Sequence, residues 1–219
     1  MTNDPAAGKA VLFDVDGTLL DTVPLIVETY QYIFQKWLGR PGDTAEILAS
    51  IGIPLESYFR QFPADLIQPM QADYLEYNHS HLDSHVGIFL GIPQLLAALR
   101  QRGIPLGVVT SKRMASALHS LRGFGLESFF QVVIAKESTR THKPEAEPVL
   151  ESMRRLGLTD PQKIIFVGDS LHDLYCARNA GCRSAIVGWT AMPAAELRAA
   201  APDFWLTKPD QLPACLDEI

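Results

Sequence analysis

The sequence predicts an α/β fold, a parallel sheet flanked by helices with a helical block inserted near its start. Three observations carry this. Short apolar runs alternate with segments of helical spacing over most of the chain, the pattern of repeated βαβ units. Several runs end abruptly in carboxylates or hydroxyls, as buried strands do when they open into loops at one edge of a sheet. Between about residues 22 and 86 the alternation stops, and only helix-like stretches appear.

Taken in order, strands are expected at residues 10–15, 105–110, 131–135, 163–168 and 183–187, with a short last strand at 204–206. Helical spacing marks residues 92–102, 113–122, 144–156, 171–180 and 194–199. Gly103, Gly157 and Gly181 stand just past three of these helices, where a left-handed residue ends the last turn. Within the insert, residues 25–38, 43–51, 55–62 and 65–81 read as helices. No internal repeat or low-complexity tract interrupts the chain.

The chain has 219 residues, 47% hydrophobic and 20% charged, which is ordinary for a folded domain with a substantial core. A net charge of −6 argues against a nucleic-acid partner, which needs basic clusters. No run approaches the roughly 20 apolar residues of a membrane span, so no membrane partner is expected. Cys176, Cys182 and Cys215 form no CxxC pair. They read as buried thiols in a reducing compartment, and a cytoplasmic location is expected.

The densest chemistry lies in Val11-Leu12-Phe13-Asp14-Val15-Asp16-Gly17-Thr18, an apolar strand ending in two aspartates, a glycine and a threonine. Burying unpaired carboxylates is costly, and a divalent cation would compensate. Lys163-Ile164-Ile165-Phe166-Val167-Gly168-Asp169 repeats the design, with Asp173 four residues on. A third strand ends in Thr110-Ser111, and Lys143-Pro144 precedes a helical pattern. In an open parallel sheet, ligands bind beyond the carboxyl ends of the strands, where all four segments place their polar groups.

In this order and spacing the four segments resemble the motifs of the haloacid dehalogenase-like superfamily, in its phosphatase branch. The likeness runs from Val11 to the C-terminal region. It implies a Rossmann-like core from residues 1–21 and 87–219 and a helical cap at 22–86, able to close over the site. It also implies a small phosphorylated metabolite as substrate, Mg²⁺ as cofactor, and a monomer or homodimer. Asp14 is then the nucleophile that forms a phospho-aspartate. Asp16 is the general acid and base, with its backbone carbonyl facing the metal. Asp14 and Asp169 ligate Mg²⁺ directly and Asp173 supports them.

Asp173 is equally a charge suited to a helix N-terminus. Lys143 would neutralise Asp14 and the transferring phosphoryl group; Lys112 is the rival, though a solvated surface position suits it better. Thr110 and Ser111 would hold phosphoryl oxygens, and either hydroxyl could instead cap the following helix. Gly17 permits close backbone approach, and Thr18 either contacts Asp16 and orients the loop or is a plain turn hydroxyl.

His79, His81 and His85 invite a zinc reading, but no cysteine lies near in sequence, and a cap or hinge surface is the simpler account. Either His79 or His81 could face substrate. Trp37, Tyr74 and Tyr77 have the spacing of packing residues. Gly52-Ile53-Pro54 resembles the branch's specificity loop. Asp21-Thr22-Val23-Pro24 resembles phosphoglycolate phosphatases, whereas residues 51–59, Tyr77-Asn78-His79 and Gly188-Trp189-Thr190 resemble bacterial pyrophosphatases. The first expectation is a 2-phosphoglycolate phosphatase and the alternative a pyrophosphatase. A phosphate-sensing protein without turnover is the reading of a different class. Asp16 argues against the dehalogenases, Ile26 against a mutase, and Lys36, the one cap lysine, lacks the motif context of a Schiff-base enzyme.

Overall fold

A computed structural model describes residues 8–219. Six strands form one sheet in the order β3-β2-β1-β4-β5-β6. They are β1 (Ala10–Phe13), β2 (Leu106–Val109), β3 (Val132–Ile134), β4 (Ile164–Gly168), β5 (Arg183–Val187) and β6 (Phe204–Leu206), and every pairing is parallel. Ten α-helices accompany them among the described residues. Four precede the second strand's own helix: α1 (Val23–Leu38), α2 (Thr44–Ser50), α3 (Leu55–Phe59) and α4 (Ala64–His85). The others are α5 (Ile92–Gln101), α6 (Met114–Gly123), α7 (Glu147–Leu156), α8 (Leu171–Asn179), α9 (Ala194–Ala199) and α10 (Leu212–Asp217).

β1 is fully buried at the sheet centre, so its residues pack on both faces. Val11 and Phe13 join Leu95, Leu96 and Leu99 of α5 and Leu212 and Leu216 of α10 on one side. Ala10 and Leu12 face Val149 and Met153 of α7 and Cys176 and Ala177 of α8 on the other. This alternation is the two-residue period of a strand. From β1 the chain runs outward through β2 and β3, then returns to place β4 on the other side of β1. That reversal opens a crevice at the carboxyl ends of β1 and β4, where such sheets bind ligands.

α1–α4 lie between β1 and α5 in the chain and pack a separate apolar cluster around Tyr30, Ile33, Phe34, Phe59 and Met70. Tyr30 meets four aromatic rings, those of Phe34, Tyr58, Phe59 and Tyr74. Each such buried side chain contributes about 1.5–3 kcal/mol. The two chain passages beside this block are tied together, since Leu20 bridges Ile88 and Asp21 N–H donates to Gly87.

Several boundaries depart from the sequence expectation by a few residues, among them the ends of β1 at Phe13 and α3 at Phe59, and one helix is additional. α7 starts at Glu147 rather than at residue 144, because residues 142–145 form a turn closed by Glu145 N–H to His142 at 2.8 Å. Pro148 then sits in the first turn, where a missing N–H costs nothing. α4 continues past residue 81 to His85, despite Pro69 in its interior. α10 was not expected, since its six residues are too few to show a period; Leu212 and Leu216 dock it on the core.

Candidate active site

β1 extends one residue past its last paired position, for Asp14 N–H donates to Val167 of β4 at 2.9 Å. Asp14 therefore stands at the strand end, 3% exposed, with Asp169 just beyond β4 at 1%. The loop between them turns at Gly17, which has φ of +73°. A Cβ there would lie 2.0 Å from an Asp169 carboxylate oxygen, so only glycine fits both the backbone and the approach.

Asp173 occupies the first turn of α8 and closes its N-terminus reciprocally with Ser170. Its Oδ2 accepts from the N–H groups of Asp169 and Ser170, at 3.2 and 3.1 Å, and from the Ser170 hydroxyl at 2.6 Å. Its other oxygen accepts from Lys143 at 2.6 Å, and the same ammonium donates to Asp14 at 2.9 Å. Lys143 is 4% exposed, carried in by the turn that delays α7. Burial alone would lower its pKa, but the charges of Asp14 and Asp173 outweigh this and raise it. It is a permanent cation.

Asp14, Asp169 and Asp173 offer oxygens that all lie within 4.8 Å of one another, a group able to hold a metal. Two like charges about 4 Å apart repel by about 4 kcal/mol at an effective dielectric of 20. One lysine does not balance three carboxylates. Asp14 is accordingly pushed up to about 7, chiefly by burial; Lys143 pulls it down, while Asp173 and Asp16 add to the rise. Asp169 is raised well above the usual carboxylate range by burial, then by Asp173 and Asp14. A divalent cation with a preference for oxygen fits this donor set, Mg²⁺ among them.

The Asp16 carboxylate is not part of that group. Its oxygens accept from Lys112 Nζ at 2.8 and 3.0 Å and from the Thr22 hydroxyl at 2.6 Å. Lys112 is thus no solvated surface group, its side chain being 13% exposed. Thr110 N–H donates to Ile134 and the Thr110 hydroxyl accepts from Lys112 N–H at 3.3 Å. Ser111 donates its hydroxyl to the Gly52 carbonyl, tying the end of β2 to the loop after α2. The buried Thr18 hydroxyl has no hydrogen-bond partner, Asp16 included, and its carbonyl accepts from Trp189 at 3.2 Å.

Asp14, Asp16, Thr110, Ser111 and Lys143 meet in one cleft roofed by Ile51–Leu55 and by Tyr30, Tyr74 and Asn78. Its volume is about 80 Å³, against ~300–1,000 Å³ for pockets that take drug-sized ligands. At the rim, Arg113 pairs with Glu56 of α3, and Lys136 approaches the same carboxylate at 3.4 Å.

Several participants escaped the sequence reading. Thr190 donates to Asp169 at 2.8 Å from the loop after β5; it was noticed only as part of Gly188-Trp189-Thr190. Thr22 was read as the start of the insert, and Tyr74 as packing alone. Arg113 and Glu56 gave no signal. His79 bonds Ser116 of α6 at 2.9 Å, and Asn78 rather than His79 or His81 lines the cleft. His81 and His85 bind backbone carbonyls within α4. The aspartates form the only metal-competent group among the described residues, and the three histidines are not part of it.

Known proteins bear on this site. The family model for haloacid dehalogenase-like hydrolases matches residues 11–187. The chain belongs to the haloacid dehalogenase-like hydrolase family. Pyrophosphatase PpaX of Bacillus pumilus is 35% identical over 204 residues, 93% of this chain and 94% of that protein. A haloacid dehalogenase-like hydrolase of Streptococcus pneumoniae superposes with a TM-score of 0.80 at 28% identity, covering 94% of this chain and 97% of its own. A protein described as a predicted phosphoglycolate phosphatase, from Haemophilus somnus, gives 0.82 at 22% identity, covering 94% and 97%; it shares the fold. No helix among the described residues is long and apolar enough to cross a membrane.

Proposed function

We propose that this haloacid dehalogenase-like hydrolase is a Mg²⁺-dependent phosphohydrolase working through a phospho-aspartate on Asp14. The observation that carries the reading is the buried Lys143 bridge between Asp14 and Asp173 beside Asp169. Lys143 favours the ionised form of Asp14 against the cost of burial, aims it, and opposes the charge of the incoming phosphoryl group. Mg²⁺, held by Asp14, Asp169 and the Asp16 carbonyl with Asp173 in support, would supply charge neutralisation of the phosphoryl oxygens.

A carboxylate oxygen of Asp14 attacks phosphorus, and the bond from phosphorus to the leaving oxygen breaks. Asp16 gives its proton to that oxygen, then takes one from the water that attacks the phospho-aspartate and releases phosphate. Thr22 and Lys112 fix the Asp16 carboxylate at the cleft. Thr110, Ser111 and the backbone at Gly17 and Thr18 cradle the phosphoryl group. Residues 22–86 act as the cap, excluding water when shut.

Pyrophosphate is the substrate we favour. A relative that matches nearly the whole chain bears that name, and the cleft is small. A second reading, 2-phosphoglycolate, rests on Asp21-Thr22-Val23-Pro24 and on the fold neighbour of that description. Phosphate release with Mg²⁺, compared as kcat/KM for the two compounds, sugar phosphates and nucleotides, tests the choice. A large preference for pyrophosphate is expected. Equal, negligible turnover of every compound by the folded, Mg²⁺-loaded protein would favour a sensing role.

A further inference from the structure

A second cleft, about 720 Å³ in volume, lies outside the catalytic crevice. Its apolar walls are Phe89, Leu95, Trp189, Pro209 and Pro213. Leu90 stands at its rim 93% exposed, far more than any other large hydrophobic side chain among the described residues. Lys208 and Asp210 flank it, both exposed, and neither makes an ion pair among the described residues. Isolated exposed leucines need no explanation, but an apolar knob beside an apolar hole does.

We propose that this patch joins two copies of the chain in a two-fold dimer, Leu90 of each entering the cleft of the other. A knob and a hole in one patch are self-complementary, which is what an isologous interface requires. The flanking charges are of opposite sign, so the same rotation sets Lys208 of one copy against Asp210 of the other, twice per dimer. A second copy of the chain would cover both the cleft and the exposed Leu90. No residue of α1–α4 lines the cleft, so the insert stays free to move. The cleft is nonetheless tied to the catalytic loop, since Phe89 N–H donates to Leu19 and Trp189 to Thr18.

The test is molar mass by light scattering on the full chain from about 1 to 100 µM. The wild type should be dimeric at the upper end, and Leu90→Asp monomeric throughout with an unchanged melting temperature. Lys208→Asp should weaken the dimer about tenfold, two rim pairs being lost at once. Adding Asp210→Lys should restore it. A wild type monomeric at every concentration would overturn the proposal, as would a Leu90→Asp protein that remains dimeric. A filled cleft on a monomer, found as a co-purifying small molecule, would overturn it too.

Discussion

The Lys112 ammonium lies 2.8 and 3.0 Å from the two carboxylate oxygens of Asp16, across the cleft from the Lys143 bridge. The two lysines thus divide three of the four aspartates between them, Lys143 taking Asp14 and Asp173 and Lys112 taking Asp16. Lys143 serves the nucleophile and Asp173, and Lys112 holds the carboxylate proposed as general acid and base. Lys112→Met keeps the apolar stem and removes the charge. It should lower kcat about tenfold, part of the 10²–10⁴ that a positioned acid–base group supplies, with little change in melting temperature. Steady-state kinetics beside a thermal melt check this.

Asp169 receives one hydroxyl, that of Thr190. Thr190→Val preserves shape and removes the donor. Loss of such an outer partner should weaken Mg²⁺ binding about 10–100-fold. Titrating Mg²⁺ against activity and against melting temperature should give the same shift.

Asp14 is pushed up to about 7 and Asp169 moves the same way. A carboxylate with a raised folded pKa holds its proton in the native state after the unfolded chain has lost it. The metal-free protein should therefore lose stability as pH rises from about 4 to 7. Mg²⁺ displaces those protons, so its stabilising effect should grow over the same window. Melting temperatures at pH 5 and 7.5, with and without Mg²⁺, measure both. An equal Mg²⁺ effect at the two pH values would count against metal binding at these carboxylates.

Gly17→Ala meets two penalties, a left-handed φ and a Cβ 2.0 Å from Asp169. The backbone term alone costs about 1–2 kcal/mol. Urea unfolding should show at least that loss, and Mg²⁺ affinity should fall with it because Asp169 must shift.

The strands were legible because buried parallel strands read as short apolar runs, and β1 and β4 end in the very aspartates that fill the crevice. Asp14, Asp169, Asp173 and Lys143 meet as the motif order implied. What the sequence hid depends on tertiary distance. Thr190 reaches Asp169 across 21 residues and Lys112 reaches Asp16 across 96, and no local pattern marks either pair. Pro144 and Pro148 both suit a first turn, so the start of α7 is ambiguous in sequence; the helix takes Pro148, after the turn that carries Lys143 inward.

The nucleophile carries the account, and Asp14→Asn tests it most directly. Phosphate release from pyrophosphate with saturating Mg²⁺ should fall by at least about 10⁴-fold, since the amide cannot form the covalent intermediate, while circular dichroism and the melt stay native. A folded Asp14→Asn protein that keeps a tenth or more of wild-type turnover would contradict the phospho-aspartate and the role given to the Lys143 bridge.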